Sequence, residues 1–440
     1  MVTILTGILM LGVLIFVHEL GHFVVAKLAG VKVLKFSLGF GPRLLSRQWG
    51  ETVYQICVVP LGGYVQMLGE GSDEAEQLTD PADKERSFAE KKPLQRIAIV
   101  AAGPFMNLML PFLVLPLAYV IGIDMPAFLE RPACIGYVAP DTPGARAGFA
   151  AGDCVTRIDD QSIASWSQAE KELLRRAGRE VMVTVERSQG PATIRLTGNG
   201  DVAGGLQAFG LLPPQDAVIG QVLPGLPAAE AGLQAGDRIL AIGEAPVDSW
   251  YMVRPLVAAG AGETLTLRIG RQDQTLSIPV TPRESHEGDG WLLGVAPEFE
   301  TVFKRFPLAA SWREGSRRSI ELMRLTVVFV GKLFSGSVSP KSIGGPIQVV
   351  QVAGAAADTG FTAVLSFLAF LSIQLGILNL LPVPILDGGH LLFGFLELIF
   401  RRPLPLRVRE VAQQIGLGLI ILLMAWAFYN DLARLLMGRG

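Results

Sequence analysis

The chain is short of charge. Of its 440 residues, Asp, Glu, Lys and Arg make up 18%, against about 25% in an ordinary soluble domain. That is too little for a wholly water-facing surface and argues against a purely soluble enzyme. Half of the residues are hydrophobic and the mean hydropathy is +0.42. This excludes disorder, which needs low hydrophobicity and high net charge. Net charge is scarce too, at −2 with a pI near 6.2, so no basic field favours nucleic acid as a main partner. Cysteine is nearly missing. Cys57, Cys134 and Cys154 are too few and too scattered for a disulfide framework or a CxxC zinc site. Cys134 and Cys154 can pair in an oxidising compartment, but inert thiols are the expectation. What the chain does hold in quantity is glycine (50) and proline (28), which points to many turns and broken elements.

The hydrophobicity is concentrated. A run of about 20 apolar residues spans a bilayer, and four windows qualify: Val2 to Leu28, Ile97 to Ile123, Phe361 to Leu386 and Ile415 to Leu436. The first lacks the basic start and small-residue cleavage site of a signal peptide, and His18, Glu19 and His22 interrupt it. It reads as a retained span. Lys32, Lys35, Arg43, Arg47, Lys84, Arg86, Lys91, Lys92 and Arg96 follow it, and Arg401, Arg402, Arg407 and Arg409 lie between the last two spans. Lys/Arg-rich short loops stay cytoplasmic, so both termini and the stretch from Asp124 to Gly360 belong on the opposite side. A further apolar segment, Ile320 to Phe334, is short and carries Arg324 and Lys332; it reads as an interfacial or packed helix.

The translocated stretch repeats itself at a shift of about 84 residues. Ala147-Gly148-Phe149-Ala150-Ala151-Gly152-Asp153 matches Ala231-Gly232-Leu233-Gln234-Ala235-Gly236-Asp237. Ser165-Trp166 matches Ser249-Trp250, and Arg187 matches Arg271. Alternating strand candidates, Val181 to Val185 and Leu265 to Ile269, recur in phase. Two compact domains of about 85 residues follow. Their Ala-Gly-x-x-Ala-Gly-Asp pattern resembles the PDZ domains of bacterial envelope proteases. Such domains bind extended peptides by strand addition; the alternative is a pair of spacers that act by bulk alone. The expected organisation is 1–123 with two spans and a cytoplasmic-side hairpin, 124–205 and 206–300 as the repeated domains, 301–360 as a linker with an amphipathic helix, and 361–440 with the last two spans.

His18-Glu19-Leu20-Gly21-His22 lies inside the first span. Ionisable residues there are expensive and functional by default. On a helix, histidines at i and i+4 share one face and can reach one zinc ion, with Glu19 placed to take a proton from the attacking water. Catalytic zinc needs a third protein ligand. His286 sits in a stretch, Ser285 to Asp289, that reads as an exposed loop. Asp387 and His390, in Asn379-Leu-Leu-Pro-Val-Pro-Ile-Leu-Asp387-Gly-Gly-His390, are both candidates, and physics alone does not choose between them. If Ile320 to Phe334 does not cross, the third span brings Asp387 to a depth comparable with His18, so one metal site favours four spans.

HELGH in a first span, two central PDZ-like domains and NLLPVPILDGGH in a third resemble the site-2 protease family of intramembrane zinc metalloproteases, over essentially the whole chain. The doubled insert is most like the family's Gram-negative branch. The resemblance implies a polytopic α-helical membrane protein with four transmembrane helices, a membrane-associated β-hairpin and two inserted α+β PDZ-like domains. It implies Zn2+ held by His18, His22 and Asp387, Glu19 as catalytic base, and His390 in a supporting or packing role. The hairpin falls on Glu51 to Leu68, around Pro60-Leu61-Gly62-Gly63, where an edge can pair with an unwound substrate strand. Ser72 to Glu90 reads as a solvated linker. Asn107 and Asn379 are candidate substrate-binding amides, as donors to the substrate backbone or an oxyanion; the alternative is helix–helix hydrogen bonding.

The expected activity is hydrolysis of a peptide bond within or near the transmembrane segment of single-pass membrane proteins. By resemblance the substrates are a pre-trimmed anti-sigma factor in envelope-stress signalling and remnant signal peptides. The expected setting is a monomer in the bacterial inner membrane, with the PDZ pair periplasmic and the active site toward the cytoplasm. The rivals are a PDZ-based membrane scaffold and a metal transporter using the same residues.

Overall fold

The structure is a computed structural model that describes residues 2–70, 80–176, 179–197, 205–284, 290–335, 345–402 and 405–437. His286 and residues 72–79 of the acidic stretch lie outside them; Asp80 to Glu90 is described and holds a short helix, Pro81–Glu85, in place of a plain linker. The chain divides into two compact units. One joins Met1–Ile123 to Lys304–Arg434, and the other is built on Asp124–Phe303.

The first unit is helical around one curled sheet. Helix α1 (Val2–Leu28) leads into strands β1 (Val33–Trp49) and β2 (Thr52–Met67), which pair antiparallel. The register is doubled at the start of β1. Phe36 faces both Val65 and Tyr54, and Leu38 faces both Gly63 and Ile56. β2 therefore folds around β1 and borders it on both sides, while Arg47 to Trp49 pair back onto Thr52 to Tyr54. The inner half is covered. Val33, Phe36, Val65 and Met67 form a core with Ala26 of α1 and with Ile99. The outer half is not, and Leu44, Leu45 and Trp49 are exposed. Glu51 at the turn between the strands accepts from Lys27 Nζ (2.5 Å) and Arg86 Nη2 (2.8 Å).

Helices α2 (Pro93–Met109) and α3 (Pro111–Ile121) follow, with Pro111 at the joint. After the second unit come α4 (Leu308–Phe334), α5 (Pro346–Thr359), α6 (Phe361–Asn379), α7 (Asp387–Phe400) and α8 (Leu406–Met437). Among the described residues four stretches are long and apolar enough to cross a membrane: Leu5–Leu28, Pro93–Ile121, Phe361–Asn379 and Arg407–Leu432. α4 is not among them. Arg313, Glu314, Arg317, Arg318 and Glu321 break its apolar surface, and it packs on α3 and α6. Met10, Leu14, Val114, Leu115, Leu365 and Leu368 form the core between α1, α3 and α6. α8 is only 6% buried over its apolar window. It is tied down at Asp431, whose carboxylate accepts from the backbone N–H groups of Gly345, Ile347 and Gln348 and so caps α5.

The third span is shorter than expected. It stops at Asn379 rather than running to Leu386, because Pro382 and Pro384 cannot continue a helix. Asp387 opens the first turn of α7 instead of closing the third span.

The second unit holds two modules, each around its own core. In the first, β3 (Cys154–Ile158), β4 (Glu180–Arg187) and β5 (Gly190–Thr197) pair in that order beside the helix Trp166–Arg175. In the second, β6 (Arg238–Ile242), β7 (Leu265–Arg271) and β8 (Gln274–Val280) do the same beside the helix Val253–Ala259. The alternation legible in sequence is the alternation of burial: Val181, Val183 and Val185 point inward, as do Leu267 and Ile269.

One ion pair recurs in both modules at the same 84-residue shift. Arg187 grips Asp153 through Nε (2.6 Å) and Nη2 (2.7 Å) and also bonds the Gly148 carbonyl. Arg271 grips Asp237 at 2.7 Å twice and bonds the Gly232 carbonyl. The pair staples the Ala-Gly-x-x-Ala-Gly-Asp turn to the C-terminal end of β4 or β7. That explains why the motif and the distant arginine repeat together. Burial alone would raise the Asp237 carboxyl, but Arg271 and the Gln234 N–H hold it below the usual aspartate value. A group depressed on folding stabilises above its unfolded pKa, near 4, and that stabilisation is lost as pH falls through the folded value. Replacing Asp237 by Asn is expected to cost the module about 2–3 kcal/mol at pH 7, read as faster hydrogen exchange at Ile239 and Ile269. The deficit should shrink as pH falls below 4. A deficit that is unchanged at acid pH would assign the loss to packing.

Cys134 and Cys154 are joined by a disulfide, which corrects the expectation of inert thiols. They face each other where Ala133–Cys134 pairs with β3, a proximity that a spacing of 20 residues does not reveal. Cys57 is free and buried.

Candidate metal centre

The site is assembled where α1, α2, α6 and the start of α7 meet. Helical spacing puts His18 and His22 on one face of α1, with His18 buried and the His22 side chain 12% exposed. Their Nε2 atoms stand 3.2 Å apart. Asp387 completes the group, with Oδ2 3.1 Å from His18 Nε2 and Oδ1 3.6 Å from His22 Nε2. Among the described residues these are the three whose donor atoms could hold a metal ion, all within 4.8 Å of one another. His390 is not in the group; its ring lies against Phe393. Of the two residues that the sequence left open, Asp387 stands with the histidines and His390 does not.

The donor set fits zinc. Ligands about 2.0–2.1 Å from a tetrahedral zinc are about 3.3 Å from one another, close to the spacings found. Two imidazoles and one carboxylate leave a fourth position open, the pattern of catalytic rather than structural sites.

The neighbours orient these donors. His22 Nδ1 lies 2.9 Å from the Ile99 carbonyl, which can only accept, so the proton is on Nδ1 and the Nε2 lone pair faces Asp387 and His18. α2 approaches closely enough for this because residue 103 is glycine, and a Cβ there would fall on the His22 ring. Glu19 points to the sheet, where its Cγ would lie 2.9 Å from a Cβ at Gly63. The strand β2 therefore passes directly over Glu19, and Gly63 leaves room for it. The two asparagines bracket His18. Asn379 Nδ2 is 3.5 Å from Nε2, on the side facing the other donors. Asn107 is 3.2 Å from Nδ1, on the far side, and fully buried.

The sequence reading missed Ile99, a carbonyl with no residue-type signal, and the packing roles of Gly103 and Gly63. The Gly103-Pro104 pair at mid-helix was the one cue to a close helix contact. It also set both strands of a hairpin within Glu51 to Leu68, around Pro60-Leu61-Gly62-Gly63; the structure instead has one strand there, β2 (Thr52–Met67), paired with β1, whose alternation from Val31 to Phe40 is cut short by Gly39, Gly41 and Pro42.

The model of peptidase family M50 matches residues 6–423 of this chain. The chain is 36% identical over 450 residues to the regulator of sigma-E protease RseP of Escherichia coli, covering 97% of this chain and 98% of that protein. It is similar to the same degree and extent to the protease RseP of Yersinia pestis. It is 37% identical over 455 residues, 99% of both chains, to a Neisseria meningitidis protein that bears the name zinc metalloprotease. The chain belongs to peptidase family M50. It is a zinc metalloendopeptidase with, among the described residues, four helical stretches able to span a membrane.

Proposed function

We propose that His18, His22 and Asp387 hold the zinc ion, that Glu19 is the catalytic base, and that the enzyme cuts single-pass membrane proteins within or near their transmembrane segment. The observation that carries this is that Asp387, at the start of α7, meets His18 and His22 of α1, a helix apolar enough to span a bilayer, with Glu19 between the two histidines in sequence. Bound zinc supplies a Lewis acid for the scissile carbonyl and the attacking water. Glu19 takes the proton released by that water and delivers it to the leaving amine. Asn379, on the open side of His18, donates to the substrate carbonyl as it gains negative charge. A transmembrane helix hides its peptide bonds and must be extended first. The sheet running past Glu19 at Gly63 supports β-strand addition as the means, with β1 and β2 as a membrane-associated hairpin.

The two repeated modules are read as PDZ-like domains on the periplasmic side of the inner membrane. The Cys134–Cys154 disulfide supports that side, since disulfides persist in oxidising compartments. There they would turn away substrates with bulky extracytoplasmic domains and admit trimmed ones. The E. coli relative is named a regulator of sigma-E, which supports an anti-sigma factor as substrate, with remnant signal peptides as a second class. The test is cleavage by the full-length protein, in detergent, of one single-pass substrate with and without a folded extracytoplasmic domain. The trimmed form is expected to be cut at least about tenfold faster, on the order of 1.4 kcal/mol in the barrier. Equal rates would remove the size filter, and no cleavage of either would count against the substrate class.

A further inference from the structure

We propose that Asn107 is a positioning residue for the metal centre: its side-chain oxygen accepts the Nδ1 proton of His18 and so aims the Nε2 lone pair of His18 at the zinc. The proposal rests on His18 being a zinc ligand.

The two asparagines start from the same expectation, a substrate amide, and their positions separate them. Asn379 lies beside Nε2, where His22 and Asp387 converge. Asn107 lies beside Nδ1, has no exposed surface, and cannot reach a substrate without α2 moving. Its place is fixed from behind, because Ser372 of α6 donates to its backbone carbonyl at 2.7 Å and is itself fully buried.

An imidazole that gives its Nε2 lone pair to a cation carries its proton on Nδ1. That proton needs an acceptor, and Asn107 is the group within reach of it. As placed, the amide nitrogen faces Nδ1 and the amide oxygen has no partner. With zinc on Nε2 that would set one donor against another. Half a turn of the amide puts the oxygen on Nδ1 within the same outline. Either orientation leaves one amide atom unpaired, so the count of hydrogen bonds does not choose between them; the proton on Nδ1 does. His22 has the same arrangement with a backbone partner, the Ile99 carbonyl. One ligand is thus oriented by main chain and the other by Asn107, the familiar way in which partners behind a ligating histidine fix its ring and tautomer.

The test is zinc affinity of the full-length protein in detergent, by competition with a chromophoric chelator, for Asn107→Leu and Asn107→Asp. Leucine removes the acceptor and keeps the volume, and a loss of about 10–100-fold in affinity is expected. Aspartate keeps an oxygen in place, and its affinity should stay within about threefold of wild type or tighten. Wild-type affinity in Asn107→Leu, or an equal loss in both variants, overturns the proposal. If Asn107→Leu fails to fold, 15N-histidine NMR of the zinc-loaded wild-type protein decides. A His18 proton on Nδ1 that shifts in Asn107→Asp supports the proposal, and a proton on Nε2 overturns it. Zinc content of a His18→Ala, His22→Ala variant runs alongside. If that variant keeps zinc, the ligand assignment itself fails. If it loses zinc while Asn107→Leu binds normally, only the role of Asn107 falls.

Discussion

Glu19→Gln is expected to bind one zinc ion as tightly as wild type and to cleave a trimmed single-pass substrate about 10²–10⁴-fold more slowly, the usual worth of a positioned general base. Glu19 lies between the two histidines in sequence but outside the trio of converging donors. Glutamine has nearly the same size, so packing against Gly63 is kept while the proton acceptor is lost. The pairing of results is what matters. Loss of cleavage together with loss of zinc would mean that the residue holds the metal. Cleavage at the wild-type rate with zinc present would remove the mechanism. A membrane scaffold built on the repeated modules predicts no dependence of its function on Glu19. A metal transporter predicts that zinc flux into vesicles, rather than proteolysis, follows the ligands.

Removal of both histidines has the larger expected effect. His18→Ala with His22→Ala leaves Asp387 alone of the three donors, and one carboxylate does not retain zinc at micromolar levels against a chelator. Zinc content should fall to near zero. Cleavage should fall by about 10⁴-fold or more, because the polarised carbonyl and the activated water are lost together. Stripping wild-type protein with a chelator should give the same rate, and adding zinc back should restore only the wild type. Undiminished zinc in the double variant would place the metal elsewhere in the chain.

Much of this could be read from the residues, for physical reasons that differ from place to place. Two histidines four residues apart with a glutamate between them, inside an apolar span, have few inexpensive explanations. The repeat was legible because the same staple needs the same residues twice, Asp153 with Arg187 and Asp237 with Arg271. Asp387 and His390 could not be told apart, since both sit within the first turn of one helix and only its approach to α1 selects a face. The asparagines were alike in sequence and differ only in which nitrogen of His18 they meet. β1 was missed because glycines and arginines interrupt its alternation, while its pairing comes from β2 bordering it on both sides. α5 was folded into a linker, because its start depends on a cap from Asp431, 83 to 86 residues downstream of the N–H groups it accepts from.

The central claim is that one zinc ion is held by His18 and His22 of the first span together with Asp387 at the start of α7. The most direct measurement is a crystal structure of the zinc-loaded protein with a peptide-like hydroxamate, with anomalous differences collected at the zinc edge. The account predicts a single peak about 2.0–2.2 Å from both Nε2 atoms and an Asp387 oxygen, with Asn379 on the inhibitor and Asn107 behind His18. A peak held by His390 in place of Asp387, or one in the Asp124–Phe303 unit, would contradict it.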